Sequence, residues 1–182
     1  SGLSSAFSGY IVESYHSGPL ISIEVATVDG NSTILTIGLR SRATTDETIE
    51  IGTLMPAPLS RETWDKCATF AKDVVNAIGL DRGVFHLEVI LTSHGPEIVE
   101  VNPRLMGGSL PFLYSRTYDR DVFECLLGVY IDGCLPISEN AVGSGYGISC
   151  LFGSLEKSIL PDEIDMSWVN EFSPFELRLN LF

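Results

Sequence analysis

Two carboxylates, an amide and a guanidinium stand close together in FHLEVILTSHGPEIVEVNPRLMGG, Phe85 to Gly108: Glu88, Glu100, Asn102 and Arg104. The first three offer hard oxygen donors, the set that suits Mg²⁺ or Mn²⁺. Mg²⁺ fills its remaining positions with water and phosphate oxygens. Arg104 follows the three oxygen donors, and its planar fork could grip a phosphate or a carboxylate. Two anions facing each other without a cation should repel. Neutralising either one with Gln should therefore leave the metal-free fold as stable as before, or slightly more so.

Two strands must position these groups. The apolar runs 84–92 and 97–102 both read as β. Period 2 puts Val84, His86, Glu88 and Ile90 on one face, and Ile98, Glu100 and Asn102 on one face of the next strand. In a regular hairpin the two carboxylates share a face only if the loop holds an odd number of residues, for instance His94-Gly95-Pro96. Pro103 ends the second strand by removing a backbone donor and keeps Asn102 extended. Gly107-Gly108 permit close backbone approach to a ligand. The alternatives are ordinary ones: solvated acids on an exposed sheet face, a surface ion pair for Arg104, a simple turn for the glycines.

The rest of the chain supplies the frame. YIVESY (10–15) and LISIEVATVDG (20–30) read as strands around a Ser-Gly-Pro turn, and NSTILTIGLR (31–40) as the second arm of a hairpin. SRATTDETIEIG reads as a polar loop. Residues 61–78 form the best helix, capped by Ser60, with Glu62 in its first turn. Its apolar stripe is Trp64, Cys67/Ala68, Ala71, Val74/Val75 and Ile78, with Gly79 just past its end. A second helix is expected over Asp121–Tyr130, stopping near Gly133, and further strands over 145–153 and FELRLNLF at the C-terminus. This order predicts an α+β fold: an antiparallel sheet with helices packed on one face. Residues 1–135 form the main part, and 136–182 a C-terminal extension that starts a small α+β appendage.

Composition narrows the function. The 182 residues carry a net charge of −13, which argues against general binding to nucleic acid or anionic lipid. No apolar run approaches the ~18 residues of a membrane-spanning helix, and no signal peptide opens the chain. Cys67, Cys125, Cys134 and Cys150 have no Cys-x-x-Cys spacing and read as buried free thiols, compatible with a reducing cytoplasm. His16, His86 and His94 lack metal-ligand spacing.

Glu88 followed by Glu100-Val-Asn102-Pro-Arg104 resembles the metal-site signature of the ATP-grasp superfamily. YIVESYHSGPLISIEV resembles the strand–turn–strand that carries the family's adenine hinge. EIGTLMPAPLS resembles the segment before the central helix in its carboxylate–amine ligases. The three segments occur in the family's order and cover roughly residues 8–135. The resemblance implies ATP and Mg²⁺ (or Mn²⁺) as cofactors. It implies Glu88, Glu100 and Asn102 as metal ligands, and Arg104 as the group that stabilises the transferring phosphoryl. It implies Glu13, Tyr15 and His16 at the adenine, and Gly107, Gly108 and Ser109 at the acceptor substrate. The activity implied is activation of a carboxylate as an acyl-phosphate for attack by an amine. NPRLMGGSLPFL looks most like the L-amino-acid (dipeptide-forming) ligases. Biotin-carboxylase or purine-pathway relatives are alternatives within the family, and a non-catalytic nucleotide-binding or assembly domain is the alternative outside catalysis.

The sequence also departs from the family. Leu20 stands where many relatives have an acidic ribose-binding residue, and Glu24 could serve in its place. Thr53 stands where some amino-acid ligases have His. The Gly-rich phosphate loop and nucleotide-binding lysines of the family's earlier half have no counterpart before residue 10; Lys66 and Lys72 fall on the expected helix and Lys157 beyond the match. The chain is therefore expected to be the C-terminal half of an ATP-grasp domain, inactive by itself, with an N-terminal half of the same protein as its partner. Apolar surface left by that half would favour a homodimer.

Overall fold

Strand β1, Leu20–Val28, is buried along almost its whole length, on both faces. Ile21, Ile23 and Val25 point one way, and Ser22, Glu24 and Ala26 the other. A strand buried on two sides must lie inside a sheet covered on two sides, and the computed structural model of the chain has that arrangement. It describes residues 11–44, 49–136 and 145–151. The chain divides into two compact units, Ser1–Leu151 and Phe152–Phe182, and all the described residues belong to the first.

The sheet contains β2 (Asn31–Arg42), β3 (Glu50–Met55), β4 (Arg82–Thr92), β5 (Gly95–Asn102) and β6 (Gly147–Cys150) in the order β5-β4-β1-β2-β3-β6. Every neighbouring pair is antiparallel. The β1–β2 turn is Asp29-Gly30, with φ of 51° and 77°. Positive φ at both positions matches the twist of the flanking strands, which is why Asp-Gly signals a hairpin.

Helix α1, Arg61–Ala77, begins where Ser60 Oγ accepts a hydrogen bond from the Thr63 backbone N–H at 3.1 Å. Trp64, Cys67, Ala68, Ala71 and Val75 bury its stripe against Ile21, Ile23, Val25, Leu87 and Val89. Gly79, at φ 74°, follows the C-cap Ile78, which is exposed. The other face of the sheet, with Ala26, Leu35, Met55 and Val84, is covered by α2 (Leu110–Tyr118), α3 (Val122–Leu127) and a π-helical turn (Gly128–Asp132) through Leu110, Tyr114, Val122 and Val129. Thr36 Oγ1 and the Tyr118 hydroxyl share a 2.7 Å hydrogen bond across that layer.

The α+β class and antiparallel sheet agree with the sequence reading. The single helical layer it anticipated takes in α1 alone, because β1 and β4 carry apolar residues on both faces and each face needs cover. Residues 11–17 form no strand; Ile11 and Val12 are exposed and pair with no strand among the described residues. The segment read as a polar loop, 41–52, begins in the last residues of β2 and ends in the first three of β3, which extends the sheet beyond β2. Helix α2 was not expected, although Pro111 in its first turn is a start signal. The expected 121–130 helix is α3 plus the π turn, ended at Gly133 (φ 62°). The strand expected at 145–153 is β6, which pairs with β3 inside the first compact unit. FELRLNLF lies outside the described residues. All four cysteines are free, but only Cys67 is buried, and burial pushes its thiol up to about 11. No helix among the described residues is long and apolar enough to cross a membrane.

The cap of α1 is exposed and local, so it can be tested without disturbing the core. Ser60→Ala removes one N–H acceptor and should lower unfolding free energy by about 1 kcal/mol in urea melts, with no change in slope.

Candidate functional site

The β4–β5 hairpin turns on two residues, Ser93-His94, with Thr92 paired to Gly95. The Thr92 hydroxyl accepts from the His94 N–H and donates to the Gly95 carbonyl, which holds the turn. The odd loop expected from the sequence is not there. Regular pairing from a two-residue turn would oppose Glu88 to Val99 and send Glu100 to the other face. It does so only as far as Val89, which faces Ile98. The register then shifts: Val99 is an extra residue, Glu88 faces Glu100, and His86 faces Asn102. A β-bulge, which re-aims side chains and is frequent beside functional sites, thus delivers the carboxylate pair that loop parity was expected to deliver.

The same face continues across β1. Ser22 lies opposite Glu88, and Glu24 opposite His86. Glu24 is 1% exposed and His86 3%. His86 Nδ1 is hydrogen-bonded to Glu24 Oε1. On the other side of the ring, His86 Nε2 lies 3.5 Å from Glu88 Oε1 and 3.4 Å from Arg40 Nη1. Arg40 Nη1 is 3.6 Å from the same Glu88 oxygen. The Arg40 fork closes on Glu50, with Nε donating to Oε1 at 2.7 Å and Nη2 paired to Oε2. Thr53 donates to Glu50 Oε1 at 3.1 Å. The charges therefore alternate: Glu24, His86, Glu88, Arg40, Glu50.

Electrostatics follow from that order. Burial opposes the imidazolium of His86, but its hydrogen bonds to Glu24 and Glu88 outweigh it and raise the pKa to about 9. The hydrogen bond from His86 holds the Glu88 carboxyl below its ordinary range against partial burial, with help from Arg40 and Arg104. Glu24 is pushed up by burial, an effect its bond to His86 and a backbone contact with Met106 reduce. The standing repulsion expected between Glu88 and Glu100 is accordingly relieved on the Glu88 side by two cationic groups.

Beyond the strand end, Arg104 is exposed and donates to Asn102 Oδ1 at 3.4 Å and to the Leu105 carbonyl at 3.1 Å. A Cβ on Gly107 would lie 3.4 Å from Arg104 Nη1, and Gly108 adopts φ 59°. Ser109, at the start of α2, shares a 3.0 Å hydrogen bond with Ser149 of β6. Glu13 and Tyr15 are exposed and His16 half-buried, in a segment without regular structure that leads into β1. Its end is fixed where the Pro19 carbonyl accepts from the Leu91 N–H at 2.9 Å and the Gly18 carbonyl from Arg42 at 3.0 Å. Glu24, weighed above as a ribose partner, lies beneath the surface and is committed to His86. The structure thus brings Glu88, Glu100, Asn102 and Arg104 together and puts Glu24 under them. It leaves Glu13 and Tyr15 exposed, in the segment that leads into β1.

The sequence reading gave His86, Arg40 and Glu50 no role. Period 2 already put His86 on the face of Glu88, but only strand pairing reveals Glu24 and Arg40 as its neighbours. Among the described residues, no group of three His, Cys, Asp or Glu is set to hold a metal ion. The donors present are instead two opposed carboxylates and the Asn102 amide oxygen on the same face. That set fits Mg²⁺ or Mn²⁺, which commonly take one or two carboxylates and complete the shell with phosphate and water oxygens.

Comparison with known proteins bears on the family and the fold. The family described as the ATP-grasp domain matches residues 4–111. Human (Homo sapiens) carnosine synthase 1 is 32% identical over 109 residues, covering 56% of this chain and 13% of the synthase. The fold is similar to that of an L-amino acid ligase from Bacillus licheniformis, with a TM-score of 0.58 at 24% identity, covering 63% of this chain and 30% of the ligase. It is also similar to biotin carboxylase from Campylobacter jejuni, with a TM-score of 0.62 at 22% identity, covering 76% and 31%. The chain spans 12% to 14% of the length of the curated relatives it matches.

Two outcomes follow for the metal-free protein. Glu88→Gln removes a charge held by His86 and Arg40 and should destabilise by roughly 1–2 kcal/mol, while exposed Glu100→Gln should stay within about 0.5 kcal/mol; paired urea melts measure both. The second outcome concerns pH. The folded pKa of His86 lies above its ordinary 6.5, so its stabilising contribution is complete below about pH 6.5 and is lost as pH rises through about 9. Melts from pH 6 to 10 should show that loss in the wild type, at most about 3 kcal/mol, and not in His86→Gln.

Proposed function

The chain belongs to the ATP-grasp family, and from that premise we propose that it is the ATP- and Mg²⁺-binding part of a ligase joining a carboxylate to an amine. The carrying observation is the bulge that sets Glu88 against Glu100 with Asn102 on the same face and Arg104 just beyond. The names of two similar proteins, carnosine synthase and L-amino acid ligase, support an amino-acid substrate.

In this reading the substrate carboxylate attacks the γ-phosphorus of ATP, ADP leaves, and an acyl-phosphate forms. The amine then attacks the acyl carbon, phosphate departs, and the nitrogen gives up a proton. Glu88, Glu100 and Asn102 would hold Mg²⁺, which when bound neutralises charge on the phosphate oxygens. Glu88 arrives ionised, because His86 and Arg40 keep its proton off. Arg104 is exposed and forked, so it can shift its donors from Asn102 and Leu105 to the phosphoryl oxygens as charge develops there. Gly107, Gly108 and Ser109 shape the adjoining loop, where the acceptor would approach without a side chain in its way. The main chain around Glu13, Tyr15 and His16 would receive the adenine.

The phosphate-gripping lysines would come from a preceding half of the same protein. Lys66 and Lys72 lie on α1, which covers the opposite face of the sheet from Glu88. The 182 residues alone should then transfer no phosphate.

The test is ATP turnover by the full-length protein with amino-acid substrates. Glu100→Gln should reduce Mg²⁺-dependent turnover by several orders of magnitude. Arg104→Ala should raise the barrier by roughly 3–4 kcal/mol with the fold intact. Full activity in Glu100→Gln would overturn the assignment.

A further inference from the structure

Among the described residues, Glu24 and His86 are the only ionisable side chains in the buried polar set of the core. Such a pair is seldom placed for stability, since apolar residues of similar volume serve as well or better. Its geometry has a direction instead. The His86 ring bridges from Glu24 on β1 to Glu88, two residues along its own strand and on the same face. Nδ1 is anchored to Glu24 Oε1, which fixes the ring plane and leaves Nε2 between Glu88 Oε1, 3.5 Å away, and Arg40 Nη1, 3.4 Å away. Arg40 reaches the same oxygen at 3.6 Å and is itself held by Glu50. Both closest contacts fall on Oε1, and the Glu88 side chain stays 25% exposed.

Glu24 has a second connection. Its Oε2 is buried with no hydrogen-bond partner, and its carboxylate has a backbone contact with Met106. Met106 is 3% exposed and lies in the loop that carries Arg104 and Gly107. Glu24 thus sits between the ring that orients Glu88 and the loop that presents Arg104.

We infer that His86, seated by buried Glu24, is a positioning residue that holds Glu88 by one carboxylate oxygen so that the other meets the divalent cation. The inference rests on the cation reading proposed above. Ligating carboxylates are commonly oriented by hydrogen bonds of this kind, and their loss costs 10–100-fold in metal affinity.

Two isosteres separate orientation from mere filling of space. In His86→Asn the side-chain nitrogen replaces Nδ1 and keeps the bond to Glu24, but the side chain no longer reaches Glu88, which is left with Arg40 alone. In His86→Gln the nitrogen replaces Nε2 and keeps the contact with Glu88. Mn²⁺ is titrated into the full-length protein with ADP present and followed by electron paramagnetic resonance, with thermal melting in parallel. His86→Asn should bind Mn²⁺ about 10–100-fold more weakly. His86→Gln should retain most of the affinity. In turnover, His86→Asn should raise the Mg²⁺ concentration for half-maximal rate by a similar factor, with a far smaller change in kcat at saturating Mg²⁺. If His86→Gln does not fold, the folded His86→Asn protein decides alone. Wild-type Mn²⁺ affinity in His86→Asn would overturn the inference, and so would equal losses in both variants that track their melting temperatures. Glu100→Gln run alongside keeps the two readings apart. If it binds Mn²⁺ like the wild type, the cation site itself fails. If it loses binding while His86→Asn does not, only the positioning role fails.

Discussion

Keeping Glu88 ionised inside a sheet, directly opposite another carboxylate, is the constraint around which this face of the protein is organised. A half-buried carboxylate loses water, and a like charge across the ladder makes its ionisation worse. Both effects push toward protonation, which would spoil it as a ligand. The chain answers with His86 and Arg40 at 3.5 and 3.6 Å, each seated by its own carboxylate, Glu24 and Glu50. Removing Glu24 or Glu50 would leave a cation without its anchor, so the two inner pairs are parts of one arrangement. Glu100, across the ladder, is exposed.

Sequence and structure agree where the signal is local. The stripe from Trp64 to Val75, the Ser60 cap and the Asp29-Gly30 turn each depend on residues within a few positions of one another. Each is found where its residues predict it. The carboxylate pair was legible as chemistry but not as geometry. Its residue types announced hard oxygen donors, while the register depended on Val99, whose extra position leaves no mark in a run of alternating apolar residues. The His86–Glu24 bond joins residues 62 apart in sequence, and Arg40 reaches Glu88 from across the sheet. Neither can be read without knowing that β1 lies between β4 and β2. Residues 11–17 failed in the opposite way: β-type alternation is present, but a strand needs a neighbouring strand, and among the described residues Ile11 and Val12 pair with none and are exposed.

The two faces of the sheet divide the work of the fold. Helix α1 lies along a continuous apolar surface and seals it, from Ile21 to Val89. The opposite face is apolar only under α2, α3 and the π turn, around Ala26, Leu35, Met55 and Val84. Where that cover stops, β1, β2 and β4 turn polar at Ser22, Glu24, Arg40, His86 and Glu88. The polar stripe is therefore not a defect in a hydrophobic layer. It is the part of the face that the helical cover leaves for something else, and the sequence changes character within one strand: Ala26 and Val28 lie under helices, Glu24 and Ser22 under the site.

This division limits what can vary. A change in α1 or under it alters stability through packing and can leave the polar stripe intact, because β1 transmits only its odd-numbered side chains to that layer. A change in the stripe acts on charge before it acts on volume. Leu20 illustrates the point. It sits on the same face as Glu24 and Arg40, pairs with Arg40 and Ile90, and is only half-buried. An acidic residue there would face Arg40 across the ladder and compete with Glu50 and Glu88 for its guanidinium. With leucine at position 20, Arg40 stays divided between Glu50 and Glu88. A leucine at position 20 is thus consistent with the charge alternation this chain has built beside it.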